Sequence, residues 1–237
     1  MGNTSAVILF SEPASFAVWH DGQGITGLQN SDCEALSRSM FEDVVERVLQ
    51  LGDTDVVVYH DGVEFSEDFA ARFLKRVSCR EVEGNTPAEK VRSASENAVA
   101  DHYERFIVLT ENQPVLGKHF FRQVLDQLTY EDNCAVIGPT FDKTWYLLGM
   151  KSDHNSLLGS LPGDSFLESA SLFERLCCSD TVLFPMHPRY SLNSAGNLEL
   201  LRNEVKSLQD NDSDFPRSTF ATLRMLEKKH KFTRGPV

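Results

Sequence analysis

Basic residues are scarce in this sequence, and none occurs before Arg38. The 237 residues include 23 lysine and arginine residues against 35 aspartate and glutamate residues, which gives a formal net charge of −12. Because nucleic acids and anionic membranes bind proteins that present a cationic face, we expect neither as a partner. The one dense basic cluster, Lys228 to Lys231, is more typical of a solvated helix end than of a binding site.

Cysteine motifs and long apolar runs are also absent. No Cys-x-x-Cys pair occurs among the five cysteines, and their odd number argues against a disulfide framework. We expect reduced thiols, with Cys177 and Cys178 buried in an apolar helix. No apolar run approaches membrane-spanning length, and no cationic region precedes the first apolar run as it would in a signal peptide. The sequence therefore predicts a cytoplasmic protein.

Short apolar segments alternate along the chain with amphipathic helical patterns. Predicted strands begin at Ala6, Asp55, Phe106 and Ala135, and we expect these four to be neighbours in one sheet. The predicted helices cover residues 31–51, 66–77, 86–103, 117–128, 167–177, 194–208 and 215–231. This alternation requires crossover connections and predicts a single α/β domain with a mostly parallel central sheet.

Two helix starts carry the capping-box pattern, in which a serine or threonine is followed three residues later by a glutamate. The pattern occurs at Ser31 to Glu34 and again at Thr86 to Glu89, where a proline occupies the first helical position. Both segments are therefore predicted to begin helices.

Polar residues follow two of the predicted strands. The segment Thr110 to Pro114 follows the strand that begins at Phe106, and Thr140 to Thr144 follows the strand that begins at Ala135. Parallel sheets bind ligands at the carboxyl ends of their strands. We therefore expect a ligand site at this edge of the sheet, with Ser11 contributing from the end of the first strand.

Three segments, in this order, resemble a bacterial family, the DUF2064 group. Its pattern has a strand ending in Gly-Ser-Asp-x-Pro, a strand ending in Gly-Pro with an Asp-Gly-Gly-Tyr-Tyr-Leu-Ile-Gly turn, and a later Asp-Val-Asp-Thr-x-x-Asp-Leu. The matching segments here are Thr110 to Pro114, Gly138 to Gly149, and Ser191 to Leu198. The resemblance is best over residues 101–208. The N-terminal half resembles the family only in the order of its strands and helices.

The family resembles glycosyltransferases and sugar-nucleotide transferases of the GT-A fold. The resemblance therefore implies a GT-A-like (Rossmann-like) three-layer αβα domain, which we place at residues 1–208, with residues 209–237 as a C-terminal tail or appended helix. It also implies a divalent metal, Mg²⁺ or Mn²⁺, if the protein is active, and a nucleotide sugar or sugar-like small molecule as ligand.

Several family positions that hold acids carry neutral residues in this chain. Asn112 stands where the family has aspartate, and Ser191, Asn193 and Asn197 replace the later acids. The glycine-rich basic loop that the family places after its first strand is replaced by a segment without lysine or arginine. Because metal ions and pyrophosphate need charged partners, both substitutions predict a weakened transferase site.

The candidate site residues follow from these positions. Asp142 is the candidate catalytic residue and, with Glu111, the candidate metal ligand, while its alternative role is that of a turn residue. The candidate substrate-binding residues are Ser11, His20, Glu111, Asn112, Trp145, Arg189 and Asn193. The alternative role of Trp145 is core packing, and we expect one of Trp145 and Tyr146 to point outward. The alternative for His20 and Arg189 is that their side chains are exposed to solvent.

Three functions compete on this sequence. The first is a divergent transferase-like protein with a degenerate metal and phosphate site that serves as a binding or scaffold module. The alternative is an active glycosyl- or nucleotidyltransferase with a rearranged site that uses Asp142, Glu111 and His20. A third is a structural partner that oligomerises through its C-terminal segment, and the sequence leaves the oligomeric state open.

Overall fold

A computed structural model describes residues 3–11, 28–60, 62, 65–130, 133–154, 168–208 and 212–230. The strands are β1 (Ser5–Phe10), β2 (Asp55–His60), β3 (Ser78–Glu81), β4 (Arg105–Leu109), β5 (Cys134–Pro139), β6 (Trp145–Lys151) and β7 (Val182–Pro185). The helices are α1 (Asn30–Leu49), α2 (Glu67–Phe73), α3 (Pro87–Ala100), α4 (Lys118–Gln127), α5 (Ser169–Cys178), α6 (Ala195–Ser207) and α7 (Arg217–His230), and a 3₁₀ turn covers Ser152–His154.

The seven strands form one sheet in the order β3-β2-β1-β4-β6-β5-β7. Every pairing is parallel except those of β6, which runs antiparallel to both β4 and β5. The prediction that the strands at Phe106 and Ala135 are neighbours is therefore wrong. The cause is the short connection between β5 and β6, because strands joined by so tight a turn pair as an antiparallel hairpin. This hairpin places β6 between β4 and β5.

Helices cover both faces of the sheet, which explains why its strands are almost continuously apolar. On one face, residues of α1, α2 and α4 pack against β1, β2 and β4, with Phe41, Phe69 and Phe121 among them. On the other face, α3 and α5 pack against the alternate residues of the same strands. The three αβα layers and the mostly parallel sheet match the predicted fold class.

A third apolar cluster joins the C-terminal helices to the domain. It contains residues of α1, α6 and α7, with Leu36, Leu201 and Leu223 at its centre. The Asp43 carboxylate of α1 accepts hydrogen bonds from the backbone N–H groups of Ser218 (3.0 Å) and Thr219 (2.7 Å), so it caps the start of α7. The C-terminal helix therefore packs on α1 and α6.

The same helix is held to α1 at its other end. The Asp32 carboxylate contacts Lys229 Nζ at 2.7 Å and His230 Nε2 at 2.6 Å, and the Asp32 side chain is 6% exposed. Lys229 thus forms an ion pair with α1 and His230 a hydrogen bond, where the sequence had suggested solvation.

Element boundaries differ from prediction at several points. The capping box at Thr86 is present in full, whereas α1 begins at Asn30 and its N-cap, Gln29, makes no side-chain hydrogen bond. Helix α2 ends at Phe73, four residues early. Strand β3 was not predicted, because its four residues are mostly exposed and show no apolar alternation.

Two further expectations concern burial and membranes. Cys177 and Cys178 are exposed at the end of α5, so their predicted burial is wrong. Helix α5 buries only Leu172 and Leu176 against the sheet, which leaves the cysteines on the opposite side. Within the described ranges, every helix falls short of the length and apolar character needed to cross a bilayer.

Candidate functional site

Three neighbouring strands, β2, β1 and β4, end at the same edge of the sheet. Phe10 pairs with Tyr59, so the parallel register continued by one residue places Ser11 beside His60. Ile8 pairs with Val108, so the register continued by three residues places Ser11 beside Glu111. The backbone N–H of Ser11 donates to the Tyr59 carbonyl at 2.9 Å, which extends the ladder to this point. Adjacent strands lie about 4.8 Å apart. His60, Ser11 and Glu111 therefore form a row across the carboxyl edge.

The segment after β4 is buried although it is polar. Glu111 is 7% exposed, Asn112 4% and Gln113 3%. The Thr110 N–H donates to the Tyr146 carbonyl at 3.1 Å, and Gln113 Nε2 donates to the Tyr190 carbonyl at 2.8 Å. These bonds hold the segment against β6 and the chain before α6. Glu111 and Asn112 thus lie where the sequence predicted, at the carboxyl end of β4.

The Asn112 side chain has an unusual environment. Within the described part of the chain, its Nδ2 is buried and has no hydrogen-bond partner. Buried amide groups in native proteins are nearly always hydrogen-bonded, because an unpaired donor costs about 1–3 kcal/mol. This donor therefore lacks the partner that its burial would ordinarily require.

Asp142 lies in the exposed turn between β5 and β6. The Thr140 N–H donates to the Thr144 carbonyl at 2.8 Å, and Lys143 has φ of 73°, the left-handed conformation common in tight turns. Asp142 Oδ1 accepts hydrogen bonds from the hydroxyl groups of Thr140 and Thr144, the latter at 3.1 Å. These contacts are typical of a turn residue, which is the alternative role predicted for Asp142.

The second Asp142 oxygen reaches another element. Asn193 Nδ2 donates to Asp142 Oδ2 at 3.0 Å, while Asn193 Oδ1 accepts from Asn197 Nδ2 at 3.0 Å. Asn197 Nδ2 also donates to the Ser191 carbonyl at 2.8 Å. The structure therefore brings Asp142 and Asn193 together, as the resemblance implied, in a chain of amides that fixes the segment before α6.

These donors also set the ionisation of Asp142. Partial burial alone would raise the pKa of Asp142, but the hydroxyl groups of Thr140, Ser191 and Thr144 stabilise its charged form. The net effect is a pKa below the ordinary value of 3.8. Asp142 is therefore a carboxylate at neutral pH, with both oxygens already engaged.

Among the described residues, the surroundings of Asp142 offer few charged ligands to a divalent metal. Mg²⁺ and Mn²⁺ require oxygen ligands with free lone pairs, and most of their binding energy comes from carboxylates. Asp142 instead accepts hydrogen bonds from three side chains, and Asn193, together with the Asn197 amide bonded to it, is neutral. Across the residues that the structure describes, no three His, Cys, Asp or Glu side chains are grouped to hold a metal. The metal role expected of Asp142 and Glu111 therefore stays a prediction.

Trp145 is a core residue. It is 1% exposed and packs in the cluster beneath α3 and α5, while its neighbour Tyr146 is 0% exposed on the opposite face. The prediction that one of the two points outward is wrong, because helices cover both faces of the sheet. The ligand-stacking role of Trp145 is corrected accordingly: a fully buried ring offers no face to a ligand.

Arg189 is paired within the protein. Its Nη2 contacts Glu204 Oε2 at 2.7 Å, and its guanidinium lies 5.5 Å from the centre of the Tyr190 ring. The Tyr190 hydroxyl donates to the same Glu204 oxygen at 2.7 Å. The positive charge of Arg189 is therefore already balanced, which weakens its predicted role as a phosphate contact. His20 lies outside the described residues.

His60, at the end of β2, was missed by the sequence analysis. Its ring packs edge-on against Phe65 with the centroids 5.2 Å apart, and its Nδ1 is buried without a hydrogen-bond partner in the described ranges. The signal was present in the sequence, since a histidine directly follows the apolar run Val56 to Tyr59. It is the same signal that identified Glu111.

Comparisons with known proteins agree with this fold. The family model for DUF2064, uncharacterised proteins conserved in bacteria, matches residues 29–163, more than half of the chain. No curated protein matches the chain by sequence. A solved structure of a candidate nucleotide-diphospho-sugar transferase from Desulfovibrio desulfuricans is 19% identical, with coverage of 98% of each chain and a TM-score of 0.73.

More distant structures have the same architecture. A cytidylyltransferase from Leptospira borgpetersenii is 11% identical, with 98% of this chain and 97% of that chain covered and a TM-score of 0.55. A Mycobacterium tuberculosis protein solved in complex with manganese is 12% identical, with 85% and 98% covered and a TM-score of 0.52. These similarities confirm the predicted fold, that of nucleotide-diphospho-sugar transferases and nucleotidyltransferases.

Proposed function

Because this chain belongs to the DUF2064 family and has a transferase fold, we propose that it binds a sugar-like small molecule without metal-dependent group transfer. The observation that carries this proposal is the state of Asp142. Both of its carboxylate oxygens accept hydrogen bonds from Thr140, Thr144 and Asn193. Three of the roughly four lone-pair positions of this carboxylate are therefore occupied, and a metal ion would compete with these donors for it.

Transfer from a nucleotide sugar develops negative charge on the leaving pyrophosphate. Enzymes stabilise that charge with metal ions or with free cationic side chains. Arg189, the cation that the sequence placed near this edge, is 2.7 Å from Glu204 and therefore already neutralised. The described part of the edge is thus poorly suited to stabilise such a transition state.

Binding, by contrast, is well supported by the polar residues at the edge. Glu111 and Asn112 are held in a buried segment at the end of β4, where open α/β sheets bind their ligands. Amide, carboxylate and hydroxyl groups are suited to sugar hydroxyls, which both donate and accept hydrogen bonds. A neutral, hydroxyl-rich ligand needs neither a metal nor a free cation.

An active transferase is the second candidate. It is favoured by the fold, since the candidate nucleotide-diphospho-sugar transferase of similar structure matches 98% of the chain. In that case Asp142 would exchange its hydrogen bonds for a metal ion when the nucleotide sugar binds. This candidate predicts binding that depends on Mn²⁺ or Mg²⁺.

A thermal-shift screen distinguishes the two candidates. The protein would be heated with sugars, sugar phosphates and nucleotide sugars, each in EDTA, in Mg²⁺ and in Mn²⁺. We expect a sugar-containing compound to raise the melting temperature equally in all three conditions, since a ligand at 100 times its Kd stabilises the folded state by about 2.7 kcal/mol. Absence of any shift contradicts the proposal. A shift by nucleotide sugars that requires Mn²⁺, with release of the nucleotide, supports the transferase.

A matched pair of variants links the shift to the site. Asn112→Ala removes the buried amide at the end of β4, whereas Asn203→Ala removes an exposed amide on α6. The first should reduce the ligand-dependent shift and the second should leave it unchanged.

A further inference from the structure

On the β2–β1–β4 side of the carboxyl edge, three buried polar atoms have no hydrogen-bond partner within the described ranges. They are Ser11 Oγ, His60 Nδ1 and Asn112 Nδ2. Each follows or ends a different strand, β1, β2 and β4, and these three strands are adjacent in the sheet. Native proteins leave few such atoms unpaired, so three at one edge call for a common explanation.

The register places the residues that carry these atoms on adjacent strands at the same edge. Ser11 lies beside His60 on one side and beside Glu111, the neighbour of Asn112, on the other. Ser11, His60 and Glu111 occupy positions equivalent to Leu9, Val58 and Leu109, which all face α1, α2 and α4. The row of Ser11, His60 and Glu111 therefore continues one face of the sheet beyond its apolar core, and Asn112 directly follows this row in the chain.

We infer that Ser11, His60 and Asn112 form a metal-free subsite for the hydroxyl groups of a sugar. The inference rests on the proposed function and locates it on the β2–β1–β4 side of the edge, away from Asp142. One sugar hydroxyl can accept a hydrogen bond from the Asn112 amide, and other hydroxyl groups of the same sugar can exchange hydrogen bonds with Ser11 and His60.

Charge favours a hydroxyl group over a phosphate at this position. The acidic residue Glu111 is in the same row, and the segment before Arg38 contains no lysine or arginine. The negative charge of Glu111 disfavours a phosphate in this row, whereas a sugar hydroxyl group carries no charge to be repelled. The subsite thus fits the neutral part of a sugar or of a sugar phosphate.

Titration calorimetry in EDTA with glucose 1-phosphate and with inorganic phosphate tests the subsite. Inorganic phosphate is the matched probe that lacks the sugar. Ser11→Ala, His60→Phe and Asn112→Ala each remove one of the polar atoms, and phenylalanine retains the ring contact with Phe65. We expect each variant to bind glucose 1-phosphate about tenfold more weakly, the effect of one lost hydrogen bond. Binding of Asn203→Ala should equal that of the wild type.

The outcomes separate this inference from the proposed function. Equal sugar binding by the wild type and all three variants would show that the protein binds a sugar elsewhere, which overturns the inference alone. Tighter binding of inorganic phosphate than of glucose 1-phosphate, lost in the variants, would show an anion site and also overturn it. Failure of the wild type to bind glucose 1-phosphate or any sugar of the thermal-shift screen overturns both proposals.

A second measurement needs no ligand. If the Asn112 amide lacks a partner in the free protein, Asn112→Leu should raise the melting temperature by about 2–4 °C, because it removes an unpaired donor. Asn197→Leu is the matched control: its amide donates to the Ser191 carbonyl and to Asn193, so this change should lower the melting temperature. Equal losses in the two variants would mean that Asn112 is already paired, which overturns the inference.

Discussion

Replacement of Asn193 by aspartate should convert the amide contact at Asp142 into a pair of facing carboxylates. Asn193 Nδ2 now donates to Asp142 Oδ2 at 3.0 Å, while its Oδ1 accepts from Asn197. In Asn193→Asp the contact with Asn197 can persist, but an anionic oxygen replaces the donor that faces Asp142. We therefore expect a less stable protein with a new affinity for divalent metal.

The size of the effect follows from this distance. Two unit charges 3.0 Å apart repel by about 1.4 kcal/mol at the dielectric constant of water, the appropriate limit for an exposed turn. With the lost hydrogen bond, the free energy of unfolding should fall by about 2 kcal/mol, which lowers the melting temperature by roughly 4–8 °C. Like-charge repulsion raises one pKa of the pair. The deficit is therefore present at neutral pH and absent below the ordinary aspartate pKa.

Urea unfolding of Asn193→Asp at pH 7, in EDTA and in Mn²⁺, measures the loss of stability and the effect of the metal on it. We expect Mn²⁺ to restore stability to this variant and to have no effect on the wild type. Asn203→Asp, the same change at an exposed position of α6, is the control and should lose little stability. Adding Asn112→Asp should tighten Mn²⁺ binding further if both amides stand at former metal positions. If Asn193→Asp is as stable as the wild type and its free energy of unfolding does not change with Mn²⁺, the contact between residues 193 and 142 is wrong.

Three further changes test other contacts. Asp142→Asn should be less stable than the wild type at pH 7, and the difference should shrink as the pH falls below 3.8, because a lowered folded-state pKa stabilises only the ionised form; urea unfolding at both pH values checks this. Gly138→Ala should cost about 1–3 kcal/mol, since a Cβ there would lie 2.5 Å from the Tyr146 ring, and thermal unfolding measures the loss. Asp43→Ala should cost about 1–2 kcal/mol because it removes the cap of α7, and limited proteolysis should then cleave that helix first.

The fold was largely predictable because its signal is local. The apolar runs at β1, β2, β4 and β5 and the periodic helices between them follow from burial on two faces of a sheet. The position of β6 was not predictable in the same way. It depends on whether β5 or β6 of the hairpin pairs with β4, and the local sequence does not decide this. Strand β3 carries no apolar pattern, since an edge strand with exposed side chains needs none.

The site was only partly predictable from the sequence. Glu111, Asn112 and Asp142 could be placed because each follows an apolar strand, and His60 was identifiable by the same rule. The pairing of Arg189 with Glu204 and the burial of Trp145 could not be inferred, because both depend on contacts between distant elements. Local sequence places a residue at an edge, whereas its partners depend on tertiary packing.

The motif that supports the family resemblance combines two kinds of residue. Gly138 is required by packing: the ring of Tyr146 occupies the space beside it, and this holds whatever the protein binds. Asn112 and Asn193 lie beyond the strands, so exchange of an acid for an amide there leaves the core unchanged. Packing therefore constrains the first kind of residue and ligand chemistry the second. The similarity to solved transferase structures therefore establishes the architecture, whereas the function depends on the residues at the edge, and the metal-binding experiments on Asn193→Asp test it.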